Sequence, residues 1–269
     1  MCVGMSAHKV NVFKVLVLTD SRGRSLQENI SEKIATSGLN IAVKVIYKPG
    51  ITLEQCVENA LSWGNDPTDQ QDLIVIQAGI CDFTERNRQG RIKILNYIRK
   101  GQVEAVEKLL EKLGHNLGSK ALVATIIPAS LKKYLKFHQE EYHIPDDITE
   151  TVSAQQEDLI KDIQHINHKI TEFNKEHNNR TIDLHDRVFS STLKRRKNKS
   201  KIKRSLIFKD SQLYDGVHPE ETLSDFLHKR TWYVIKYTAM QSSSNESGLF
   251  SSQESQSEAE TWDFKRPRI

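Results

Sequence analysis

The chain has 269 residues, enough for one large domain or two small ones. Hydrophobic residues make up 37% and charged residues 28%, so a folded core with a well-solvated surface is expected, and no apolar stretch reaches the ~18–20 residues of a membrane span. The net charge of +4 is small but unevenly spread, and the three cysteines, Cys2, Cys56 and Cys81, make no disulfide framework, which fits an intracellular, reducing compartment, cytoplasmic or nuclear.

A first strand is predicted over residues 12–18. The apolar run of residues 10–18 is too short, and too interrupted by Asn11 and Lys14, to be the core of a signal peptide. It opens into Thr19-Asp20-Ser21, and a helix is predicted over 25–36. A second strand over residues 41–47 leads into Pro49-Gly50-Ile51-Thr52 and a helix over 53–62. A third strand over 73–78 ends at Gly79-Ile80-Cys81-Asp82. Residues 103–113 carry apolar side chains at 103, 106, 109, 110 and 113, a helical stripe. A strand over 121–127 follows, then a long polar helix over 154–176 with Leu159, Ile163, Ile166, Ile170 and Phe173 on one face. A fifth strand candidate covers 181–184, and the last helix, about 222–237, carries Leu223, Phe226, Leu227, Val234 and Ile235.

The first four strands are nearly continuous apolar runs, the pattern of strands buried on both faces, and their alternation with helices predicts an α/β fold with a parallel sheet. Ligands of such sheets bind at the carboxyl ends of the strands, where Ser21, Gly50 and Gly79 all fall.

Two segments break this pattern. Residues 194–204 contain Lys194, Arg195, Arg196, Lys197, Lys199, Lys201, Lys203 and Arg204 with no acid, and read as a basic surface loop inserted in a domain of residues 12–240 that follows a short N-terminal arm. Three readings stay open for it: a nuclear localisation signal met by an import receptor, a phosphate-binding patch for RNA or DNA, or a solvated loop. It has no aromatic residue for base stacking. Residues 241–263 hold eight Ser and five acids with few large apolar residues, so 241–269 reads as a disordered tail that ends in a small basic cluster. Its Ser-x-x-Glu spacings resemble acid-directed kinase sites.

The candidate chemistry lies near the two ends of the folded region. Ser21 follows an apolar run, and Asp215-Gly216-Val217-His218 puts an acid and an imidazole three residues apart ahead of an amphipathic segment. A Ser nucleophile, a His base and an Asp that orients the base are the three side chains of a catalytic triad. Read alone, Asp20-Ser21 is more simply a helix N-cap and His218 an exposed loop residue. His165 and His168, three apart on the long helix, read as a polar face. With no Gly-rich phosphate loop and no Cys-x-x-Cys, neither a cofactor nor a metal is called for.

Four short blocks in order, Thr19-Asp20-Ser21, Gly50, Gly79-Ile80-Cys81-Asp82 and Asp215-Gly216-Val217-His218, resemble those of the SGNH (GDSL-type) hydrolase superfamily over roughly residues 12–238. The resemblance implies a three-layer α/β/α fold of flavodoxin-like form around a mostly parallel five-stranded sheet. It implies Ser21, His218 and Asp215 as the triad, an oxyanion hole drawn from Ser21, Gly50 and the third block, and a structural role for Gly79 and Asp82. The first block lacks its usual leading Gly, and Cys81 stands where the family has the Asn donor. A thiol donates weakly, and one lost donor costs about 10²–10³-fold in rate. Cys81 reads most simply as a small residue packing its loop, with Thr84, Gln77 and Arg24 as candidates for the missing donor.

Esterase-like domains encoded by some retroelements are similar too, and there the fold accompanies nucleic-acid-binding segments. The expected activity is cleavage of a small ester or acyl group through an acyl-enzyme. The rival is a weak or inactive module of the same fold that binds nucleic acid or protein through the basic run, and an interaction protein regulated by its tail ranks below both. The pocket is expected from residues 82–101 and 128–148, with Tyr134, Phe137 and Tyr142 as lining candidates.

Overall fold

A computed structural model describes residues 12–98, 101–139, 144–194 and 203–247. In chain order they form β1 (Phe13–Thr19), α1 (Leu26–Ser37), β2 (Ile41–Tyr47), α2 (Leu53–Gly64), β3 (Leu73–Gln77), the single turn α3 (Ile80–Phe83), β4 (Thr84–Gln89), β5 (Ile92–Tyr97), α4 (Gln102–Leu117), β6 (Ala121–Val123), α5 (Leu131–Phe137), α6 (Asp146–Glu176), the single turn α7 (His185–Val188), β7 (Phe189–Lys194), β8 (Lys203–Phe208) and α8 (Glu221–Ser247).

The central sheet is parallel, in the order β2-β1-β3-β6. Alternate residues of each inner strand feed opposite faces, as the two-residue period of a strand requires. Leu16, Leu18, Ile74 and Ile76 join the core beneath α2, α4 and α6, whereas Val15, Val17, Leu73 and Val75 join the core beneath α1 and α8. The result is a three-layer α/β/α fold with hydrophobic cores on both sides of one sheet.

The sheet has four strands where five were expected. Residues 181–184 run beside the end of β6, but the contact is Thr125 N donating to Ile182 O at 3.1 Å and Leu184 N donating to the Thr125 hydroxyl at 2.7 Å. The edge is completed instead by amide side chains of α6. Asn174 Nδ2 donates to Val123 O (2.7 Å) while its Oδ1 accepts from Val123 N (3.1 Å). Asn167 does the same to Ile126, at 2.8 and 2.6 Å. Each buried carboxamide copies a peptide group and satisfies both polar atoms of one residue, which removes the need for a fifth strand. β6 stops at Val123 rather than at 127 because its ladder with β3 ends at Ile76 opposite Val123, with Ala124 N donating to Ile76 O at 2.9 Å.

Two hairpins stand outside the sheet. β4 and β5 pair antiparallel, as do β7 and β8. The second includes Lys194, Lys203 and Arg204 in its strands, so these three belong to paired backbone rather than to a loop. Arg195, Arg196, Lys197, Lys199 and Lys201 lie outside the described residues, as do Cys2, Tyr142 and the chain beyond 247. α8 continues through residues 241–247. Among the described residues, no helix is long and apolar enough to cross a membrane.

Candidate active site

With strand order β2-β1-β3-β6, the connections leaving β1 and β3 diverge, and the carboxyl ends of these two strands border the crevice of an open α/β sheet. Ser21 follows β1 there. Asp20 caps a short 3-10 turn over Ser21–Gly23, its Oδ1 accepting from Arg22 N at 2.9 Å. Two backbone bonds bring the neighbouring loops to this point. Lys48 N donates to Thr19 O at 3.0 Å, and Asp20 N donates to Gln77 O at 3.4 Å.

The first of these loops is a tight turn closed by Ile51 N on Lys48 O (3.2 Å), with Gly50 at φ 75°. Pro49-Gly50 supplies the fixed φ and then the positive φ that a type II turn demands. The chain then enters α2 through a capping box of Thr52 and Gln55, worth about 1 kcal/mol. The second loop opens with Gly79 and carries Cys81 and Asp82 in α3. Asp82 Oδ2 accepts from Leu53 N at 2.7 Å, tying α3 to the first turn of α2. Burial pushes the Asp82 carboxyl up to about 6, against the backbone N–H groups it accepts from. Cys81 is half-buried and packs against the core under α2 and α4, and burial, reinforced by the Asp20 carboxylate, raises its thiol. Cys56 beside it is buried and pushed up to about 12, so both described cysteines are held as thiols.

The fourth block is a closed loop. Leu213 and Pro219 form an isolated antiparallel bridge, and Tyr214 N donates to His218 O at 2.7 Å. Inside it, Asp215 Oδ1 accepts from Val217 N (2.9 Å) and His218 N (2.7 Å), while Oδ2 meets His218 Nδ1 at 2.7 Å. A carboxylate only accepts, so Nδ1 carries the proton and Nε2 of the neutral ring is left as a base. Burial works to raise the Asp215 carboxyl, but the three bonds from His218 and Val217 outweigh it and hold the group well below the usual carboxylate range. Gly216, at φ 89°, docks this loop on α5. Its carbonyl accepts from Ser130 N at 2.7 Å, and a Cβ there would lie 2.5 Å from Ser130 O and Tyr134 N.

Arg22 joins the halves. Its Nε donates to Val217 O at 3.1 Å and its Nη1 to Ile127 O at 2.6 Å. Burial lowers its guanidinium from the ordinary value, with Asp20, Cys81 and Asp215 opposing. Asp20 is itself buried, and burial raises its carboxyl despite Arg22. A cavity of about 30 Å³, room for a water molecule, lies behind this pair and reaches Gln77, Thr125 and His228. Among the described residues, the Ser21 hydroxyl makes no hydrogen bond, to His218 or to any other group, so the backbone and Arg22 hold the pair in register.

None of the suggested replacements for the Asn donor points to that role. Gln77 Nε2 donates to the Thr231 hydroxyl, the Thr84 hydroxyl donates to Ile80 O at 2.9 Å, and Arg24 is exposed. Of the lining candidates, Tyr134 is 5% exposed and belongs to the core, while Phe137 stands edge-on to the exposed ring of Tyr214 with centroids 5.1 Å apart. His165 and His168 pair with Glu107 (3.3 Å) and Glu172 (3.2 Å), and among the described residues no cluster of three ligand-type side chains could hold a metal.

Sequence reasoning missed Arg22 and Gly216. Asp215-Gly216 is a turn dipeptide and offered a signal for the second. Arg22 offered none, since its acceptors lie 105 and 195 residues away.

No family model matches the chain, and no curated protein matches it in sequence. Among solved structures, the chain is similar to a lipase/acylhydrolase from Enterococcus faecalis, at 20% identity over 84% of this chain and 96% of that one, TM-score 0.49. It is similar also to an acetyl xylan esterase (14% identity, 82% and 98% covered, TM-score 0.48) and to a psychrotrophic esterase from Pseudoalteromonas sp. (12% identity, 84% and 98% covered, TM-score 0.43).

Proposed function

We propose that the chain is a serine hydrolase of SGNH type that cleaves a small ester or acyl group. The observation that carries this reading is the His218–Asp215 pair, which fixes the imidazole with Nδ1 protonated and Nε2 free. The four-block resemblance adds to it.

In this reading Ser21 Oγ attacks the carbonyl carbon as its proton passes to His218 Nε2, and the imidazolium is stabilised by Asp215. The oxyanion accepts from the backbone N–H groups of Ser21 and Gly50. The carbon–oxygen bond to the leaving group breaks, and the alcohol departs with the proton from His218. Water then attacks the acyl-enzyme, His218 takes its proton and returns it to Ser21 Oγ, and the acid is released. Cys81 adds little to the oxyanion hole, so turnover is slow by about 10²–10³-fold against a site with an amide donor.

Labelling with a fluorophosphonate probe tests the reading. The parent is expected to label, and Ser21→Ala and His218→Ala to lose the label. A folded parent that stays unlabelled sinks the hydrolase. The second reading, a module of this fold that binds RNA or DNA through its basic run, is favoured by one observation: Cys81, half-buried against the core, offers only a weakly donating thiol where the resemblance implies an amide donor. Salt-dependent nucleic-acid binding that disappears with residues 194–204 is its test.

A further inference from the structure

We infer that the site takes esters that carry an anionic group, and that Arg86 and Lys93 on the β4–β5 hairpin hold that group at its mouth. The inference rests on the hydrolase reading above and names its substrate class.

The hairpin rises directly from the turn that bears Cys81. Thr84 Oγ1 donates to Ile80 O at 2.9 Å, and Ile98 N donates to Phe83 O at 2.9 Å, so its base is fixed to α3. The register sets Arg88 opposite Lys93 and Arg86 opposite Leu95. Residues directly opposed across a ladder, and residues two apart on one strand, share a face. Arg86, Arg88 and Lys93 therefore stand on one face of the ribbon. β5 packs against α5, the helix on which Gly216 docks the Asp215–His218 loop. At the far end of α5, the His138 ring lies tilted against Tyr134 (centroids 4.4 Å apart) and edge-on to Phe137 (5.3 Å), which touches Tyr214 beside Asp215.

The cations on this ribbon are exposed and unspent. Between Thr84 and Tyr97 there are four, Arg86, Arg88, Arg91 and Lys93, against one acid, Glu85, which accepts from Asn87 at 3.0 Å. Among the described residues none of the four has a carboxylate partner. Their field reaches both sides of the site. Burial lowers the His138 imidazole and Lys93 and Arg86 lower it further, while Asp215 opposes them. At Cys81, Arg86 opposes the rise that burial and Asp20 cause. Arg86 acts on both the Cys81 thiol and His138, and Lys93 on His138, in keeping with a hairpin whose base is fixed to the Cys81 turn and whose second strand packs on α5. Arg presents a planar fork to carboxylate or phosphate oxygens, and a positive rim concentrates anions at the opening. A neutral ester gains nothing from either.

The test uses two acetate esters, anionic 4-acetoxy-3-nitrobenzoate and neutral 4-nitrophenyl acetate. Binding of each to the full-length Ser21→Ala chain is measured by equilibrium dialysis at low salt. The anionic ester is expected to bind about tenfold more tightly. Adding Arg86→Gln and Lys93→Gln should bring it to the level of the neutral one, whereas Lys161→Gln on α6 should change neither. Equal binding of the two esters, or a preference that survives the double substitution in a folded protein, overturns the proposal. Competition by inorganic phosphate assigns the group as phosphate, and its absence assigns carboxylate; both support the anion site. Turnover by the parent is read separately: an anion preference without turnover sinks the hydrolase reading and leaves the anion site standing.

Discussion

Arg22 Nε donates to the carbonyl of Val217 at 3.1 Å, so the residue after Ser21 is bonded to the residue before His218. Together with the bond to Ile127 O, this makes a buried guanidinium the brace between two loops that are far apart in sequence. Arg22→Lys keeps a charge but cannot reach both carbonyls. We expect it to fold and to lose roughly 10²-fold in the rate of fluorophosphonate labelling, as for a reacting pair displaced by about 1 Å. Arg22→Ala should lose at least as much and melt lower. Equal labelling rates in the parent and Arg22→Lys would remove the brace from the mechanism.

Asp215→Asn tests the imidazole geometry. The amide can donate to Nδ1 and stabilise the wrong tautomer, which places the proton on Nε2. A fall of roughly 10³–10⁴-fold in kcat with little change in KM is expected from steady-state kinetics, because the loss falls on the transition state.

Cys81→Asn offers the oxyanion an amide donor. Acyl hydrolysis is expected to rise by about tenfold or more, while Cys81→Ala stays near the parent rate. A rate unchanged by Asn in a folded protein would show that the α3 turn does not face the reacting carbonyl.

Two carboxyls give opposite acid slopes. Asp215 sits below its unfolded value of 3.8, so its contribution is complete above about pH 4 and fades as pH falls. Asp82 moves from 3.8 unfolded to about 6 folded. Between these values the folded chain holds the extra proton, so raising the pH across that window weakens the fold, by about 3 kcal/mol at most. Urea denaturation at several pH values should show Asp82→Asn removing this decline while keeping an acceptor for Leu53 N.

Asn174→Leu should cost about 2–5 kcal/mol in the same assay, since it strands both the N–H and the C=O of Val123 in the core.

Much of the sheet was legible because β1, β2 and β3 are apolar runs closed by the loops that bear Ser21, Gly50 and Gly79. The Asp215–His218 contact was legible from a spacing of three. The β4–β5 hairpin was not: β4 reads Thr84-Glu85-Arg86-Asn87-Arg88-Gln89, exposed from Glu85 onward, and a strand with no buried face leaves no alternation to read. The missing fifth strand was equally hidden. Asn167 and Asn174 look like ordinary polar residues of a polar helix until the fold sets them against β6. Arg22 belongs to the same class, a residue whose role exists only across the finished structure.

The carboxamides of α6 also bear on association between molecules. An uncovered edge strand presents a row of free N–H and C=O groups to which another chain can add. Here Asn174 and Asn179 fill that row along β6, Asn167 does the same at Ile126 just beyond it, and at the opposite margin Gln27 accepts from Val45 N of β2 at 2.9 Å. The β6 margin thus meets its surroundings with side chains in place of open backbone, and chain-to-chain β-addition there is blocked by the same contacts that finish the fold.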